Sequence, residues 1–86
     1  MYKRIGGQTV RPASPPSILG FASVVGNKEG AGPLKNTFDY ISNDQYFGEK
    51  TWEKAESAML KQCFSLACDK SGVTPSGLDY VFSGDL

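Results

Sequence analysis

Residues 51–72, TWEKAESAMLKQCFSLACDKSG, constrain the fold more than any other stretch of this chain. Trp52, Ala55, Met59, Cys63, Leu66 and Ala67 recur at helical spacing, and Leu60 and Phe64 widen the stripe. Lys54, Ser57, Lys61 and Ser65 fall on the opposite, wet side. Thr51 suits an N-cap, because its hydroxyl can accept one of the amides a helix start leaves unpaired. Glu53 and Lys70 complement the two ends of the helix dipole, and Gly72 stands where a left-handed closing residue belongs. The pattern predicts an amphipathic helix over 51–71 with an apolar face that packs on a sheet.

The segments flanking it supply that sheet. SILGFASVVG (17–26) carries the β-branched and aromatic weight of a largely buried strand, and Gly20 inside it marks a bulge or a close backbone approach. LDYVFSG (78–84) has Tyr80, Val81 and Phe82 in a row, the pattern of a strand buried on both faces. Between helix and strand, Pro75 starts a single helical turn that Gly77 ends. Strand, helix, strand is the order of a βαβ unit with parallel strands. QTVR (8–11) reads as a short strand, and ASPP after it as a turn or extended loop. Residues 26–50 read as a long loop whose aromatics, Phe38, Tyr40, Tyr46 and Phe47, are spread among polar residues. Loops of that length are often functional or packed on a partner. The class is α/β: N-terminal strands, a long loop, one amphipathic helix and a buried parallel strand.

Size and charge narrow the function. Eighty-six residues make one small domain, which buries little more than about 60% of its unfolded surface. Nine basic and nine acidic residues give no net charge and no basic face, so nucleic acid is not an expected partner. No apolar run approaches the roughly 20 residues of a membrane helix. The glycines and Arg11 that follow Tyr2-Lys3-Arg4 interrupt any secretory signal. Cys63 and Cys68 are five apart on one helix and point to different sides, so they read as small buried apolar residues in a reducing compartment. The expected location is cytoplasmic.

Several motifs fail on spacing. GEKT (48–51) opens the helix as a phosphate-binding loop ends, but Glu49 separates Gly48 from Lys50 and would repel a phosphate. GNKEGAGP (26–33) places its glycines out of dinucleotide-binding order, and Pro33 denies the pyrophosphate a helix start. The chain has no histidine, which removes Ser-His-Asp and Cys-His catalysis and most zinc sites. Glu56 falls within the apolar stripe, where a carboxylate needs a backbone amide or a lysine as partner. Asp85 follows the last strand at its carboxyl end, the edge where open α/β sheets bind ligands, although a turn-forming aspartate has the same pattern. Asp85 is therefore the best-placed candidate for ligand binding, with no catalytic or metal-binding residue and no cofactor expected.

PPSILGFASVVGNKEGAGPL (15–34), FGEKTWEKAESAM (47–59) and GVTPSGLDYVFSGDL (72–86) resemble the amino-terminal portion of the stage V sporulation protein AD family, within the thiolase-like superfamily. GEKTWEKAE is the specific part, whereas the G-x-T-P-x-x-L-D turn and strand are shared with ketoacyl synthases. The resemblance implies a duplicated βαβαβ architecture of several hundred residues, dimeric at full length, of which residues 1–86 are an amino-terminal fragment. It implies binding of dipicolinic acid, normally complexed with calcium, and a part in its uptake into the developing spore. It also implies a working place alongside other spore membrane transport proteins, peripheral at the spore inner membrane. The nucleophilic cysteine of thiolase-like enzymes lies on a later strand–helix turn, so neither Cys63 nor Cys68 matches it. Only Gly84 and Asp85 would border the ligand pocket, and Asp85 would repel a dicarboxylate unless it acts through calcium or orients basic groups. The competing expectations are the amino-terminal piece of a ketoacyl-synthase-like acyltransferase and a complete interaction module, against which an unfinished parallel sheet argues.

Overall fold

The computed structural model describes residues 2–84. Its elements run β1 (Tyr2–Ile5), β2 (Thr9–Pro12), β3 (Val24–Val25), α1 (Asn27–Gly30), a 3-10 turn at Lys35–Thr37, β4 (Tyr40–Ile41), α2 (Trp52–Ser71) and a 3-10 turn at Pro75–Gly77. The architecture is α/β: two two-stranded sheets and one long helix.

α2 forms as its local signals dictate. The Thr51 hydroxyl accepts the Lys54 amide at 3.2 Å, and Gly72 closes the far end at φ 73°. Closure is completed by the Val73 amide donating to the Cys68 carbonyl at 3.1 Å, the 6→1 bond of a Schellman end. Ala55 (4% exposed) and Cys68 are buried, while Met59, Cys63, Phe64, Leu66 and Ala67 are half-buried. Trp52 is exposed but stacks on Tyr46, with ring centroids 4.2 Å apart. Glu56 is exposed, contrary to its place in the stripe, because the helix turns that edge to solvent and the carboxylate needs no partner there.

β3 and β4 pair in parallel, Val24 with Tyr40 and Val25 with Ile41; α1 packs near both strands and α2 near β3. The close approach expected at Gly20 is present: a Cβ there would stand 2.9 Å from the Cβ of Ser71, the last residue of α2. Asp39, just before β4, ties three segments together. Its Oδ2 accepts the Ser23 amide at 2.7 Å, and its Oδ1 takes Lys70 Nζ at 2.9 Å. The same Lys70 ammonium lies 5.1 Å from the centre of the Phe21 ring.

The sheet differs from the sequence expectation in three ways. The strand expected over 17–26 is confined to Val24–Val25, and Ile18 (85% exposed), Leu19 and Phe21 face solvent. The buried parallel strand expected over 78–84 does not form: Leu78 is extended (φ −91°, ψ 136°), yet Tyr80 (79%) and Phe82 (91%) are exposed. The physical reason is shared. A strand is held by a neighbour's ladder, and among the described residues no segment pairs with 17–22 or with 78–84. The third difference is within 26–50, which contains α1, the 3-10 turn and β4 rather than loop alone. The parallel pair thus comes from β3 and β4, not from the two segments flanking α2. β2 meets the expectation for 8–11, and it pairs antiparallel with β1, which the sequence pattern did not indicate.

The molecule is open. Its radius of gyration is 16.1 Å, against about 12 Å for a compact domain of this length. Its accessible surface is 7441 Å², against roughly 5,000 Å² for a compact monomer of this mass.

Candidate functional site

The chain leaves β4 into a loop built on one side chain. Asp44 Oδ1 accepts the Tyr46 amide at 2.9 Å and Oδ2 the Gly48 amide at 2.8 Å. These bonds, Tyr46 first, hold the Asp44 carboxyl below the usual carboxylate range. They also hold Phe47 at φ 51°, a left-handed conformation uncommon for a bulky residue, with Gly48 following at φ 78°. Ser42 is buried and paired, donating to the Asp44 carbonyl at 2.7 Å. The result is a pocket of about 460 Å³ at the carboxyl end of β4, with Tyr40, Ser42, Asn43, Asp44 and Phe47 on the loop side and Gln62 on the α2 side.

Two shallower cavities lie along the other face of α2 and are apolar. One, of about 390 Å³, runs between Leu60, Phe64 and Ala67 and the exposed residues Val81 and Phe82. The other, of about 350 Å³, lies between Ile18, Leu19 and Leu78 over Phe64, Ala67 and Cys68. The Tyr80 and Phe82 rings stack with centroids 6.3 Å apart and remain exposed. The exposed residues of 18–21 and 78–82 therefore rim apolar hollows on one helix.

The sequence-level candidates stand as follows. Gly84 is exposed with open space about its Cα, and Asp85 lies outside the described residues. Cys68 is buried, whereas Cys63 is half-buried and its Sγ lies 3.3 Å from the Ala22 carbonyl oxygen, the thiol donating. Thr51, at the end of GEKT, acts as a helix cap. Among the described residues no group of His, Cys, Asp and Glu could hold a metal ion, and no helix is long and apolar enough to cross a membrane. The pocket after β4 was not singled out from sequence. Its signal is Asp44 with a glycine four residues on, where one carboxylate can cap two amides and set a tight loop.

Element order and pairing define the class: an open α/β unit in which one long helix carries short parallel strands and an uncovered apolar rim. The family model of stage V sporulation protein AD matches residues 6–86. Stage V sporulation protein AD of Bacillus subtilis (strain 168) is 30% identical over 84 residues, covering 98% of this chain and 25% of its own length. The chain belongs to the stage V sporulation protein AD family. It spans about a quarter of the length of this curated relative. No solved structure matches it.

Proposed function

We propose that the chain acts in sporulation as the amino-terminal part of a thiolase-like protein that binds dipicolinic acid and takes part in its uptake into the developing spore. The observation that carries this reading is the family match over residues 6–86. The open shape supports it: the chain exposes about 2,400 Å² more than a compact monomer of its mass, an area in the range of a large, stable interface. The apolar hollows along α2 are where further polypeptide would pack. In this reading the completed protein is a homodimer that works beside spore membrane transport proteins, peripheral at the spore inner membrane. Gly84 and Asp85 border the ligand, with calcium offsetting the repulsion between Asp85 and the two carboxylates. Residues 1–86 supply scaffold and not the catalytic groups of a thiolase-like enzyme.

The test replaces the matched segment of the Bacillus subtilis relative with this chain. Dipicolinate is then measured in spores carrying the native gene, the chimera or a deletion. The native gene and the chimera are expected to restore dipicolinate relative to the deletion, and the purified chimera to bind it in a calorimetric titration. A chimera that accumulates normally, yet leaves spores at the deletion level and binds no dipicolinate, contradicts the reading.

A further inference from the structure

We propose that the pocket at the carboxyl end of β4 binds a small organic cation bearing an ammonium group. Among the described residues that line it, Asp44 is charged and none is Lys or Arg. Its carboxylate is fixed by the Tyr46 and Gly48 amides, so its position does not have to be set when a ligand arrives. Each oxygen accepts a single hydrogen bond there and keeps a lone pair for another donor. Tyr40 and Phe47 add two aromatic rings to the same lining. A carboxylate beside aromatic rings is the chemistry that holds an ammonium ion, by charge pairing and by attraction to the ring faces. Asn43 and Gln62 add amide groups that can accept the remaining N–H donors.

The position and size fit a small-molecule site. The parallel pair β3–β4 ends at this pocket, and open parallel sheets bind ligands outside the carboxyl ends of their strands. Its volume, about 460 Å³, lies within the usual range of such sites. Phe47 keeps its left-handed backbone because Asp44 bonds on both sides of it, so the aromatic wall and the anion are set by one device. A dicarboxylate meets only Asp44 here and is repelled. The inference therefore goes beyond the dipicolinate reading, does not rest on it, and can fail without it.

The test titrates the 15N-labelled chain, at low temperature, with n-butylammonium chloride and, separately, with sodium butyrate and dipicolinate. Saturable amide shifts confined to residues 40–48 and the Gln62 side chain are expected with butylammonium alone. Tyr40→Ala is expected to weaken that binding about fivefold, and Asp44→Asn to abolish saturation. Because Asp44→Asn also loosens the loop, Gln62→Ala serves as a second variant that leaves the Asp44 bonds intact and is expected to weaken binding. Equal shifts with butyrate, a response that never saturates, shifts spread along α2, or unchanged affinity in both Tyr40→Ala and Gln62→Ala would overturn the assignment.

Discussion

α2 and residues 78–82 both carry many apolar side chains and meet opposite fates. α2 buries Ala55 and Cys68 and half-buries six more apolar residues, while 78–82 leaves Leu78, Tyr80, Val81 and Phe82 exposed. The difference lies in where each finds its hydrogen-bond partners. A helix satisfies its backbone from within, and α2 has a side-chain cap at one end and a left-handed glycine at the other. A strand needs another strand, and the described residues pair none with 78–84. Apolar composition marks a segment that has something to bury, and only a partner makes it a strand.

That contrast is broken most severely on the helix side. Ala55→Asp places an unpaired carboxylate where only 4% of the residue is exposed and is expected to cost about 3 kcal/mol, enough to abolish the circular-dichroism signal of α2 in so small a domain. Gly20→Ala drives a Cβ to within 2.9 Å of Ser71 Cβ and 3.1 Å of its backbone, and about 1–3 kcal/mol of destabilisation is expected in urea titration. Thr51→Ala removes the cap bond to Lys54, with an expected loss of about 1 kcal/mol by the same measurement.

A smaller effect comes through Asp39. Lys70 first, then the Ser23 amide, lower its pKa below 3.8. A carboxyl that is more acidic when folded adds stability above its unfolded pKa and loses it as pH falls through the folded value. The wild type is therefore expected to lose midpoint stability below about pH 4, and Asp39→Asn to flatten that acid limb while lowering the midpoint at pH 7. At the foot of the scale, Phe82→Asp is expected to change stability by no more than about 0.5 kcal/mol, because the ring is 91% exposed. Equal losses for Ala55→Asp and Phe82→Asp would erase the distinction between the two regions.

Legibility from sequence follows the same line. The helix was readable because Thr51, each turn of the apolar stripe and Gly72 act on backbone within a few residues of their own positions. The Pro75–Gly77 turn was readable for the same reason, and Gly20 showed its close approach through the absence of a side chain. β4 is two residues long and owes its existence to β3, so no periodicity announces it. The burial expected of Ile18, Phe21, Tyr80 and Phe82 depends on atoms far away in sequence. Glu56 was misplaced because an edge position of the stripe can turn either way. The pocket after β4 rests on Asp44 bonding to two backbone amides, a local device whose ligand-facing side depends on where Gln62 of α2 comes to lie. Family membership was legible in short motifs such as GEKTWEKAE, which identify a lineage without exposing a mechanism.

Amide hydrogen exchange, compared between this chain alone and the chain grafted into its Bacillus subtilis relative, tests the account most directly. The α2 amides are expected to be protected in both. The amides of residues 79–82 are expected to exchange as unpaired chain in the first and become protected in the second, as further polypeptide covers the apolar rim. Protection of 79–82 in the isolated chain, or its absence in a folded chimera, would contradict the account.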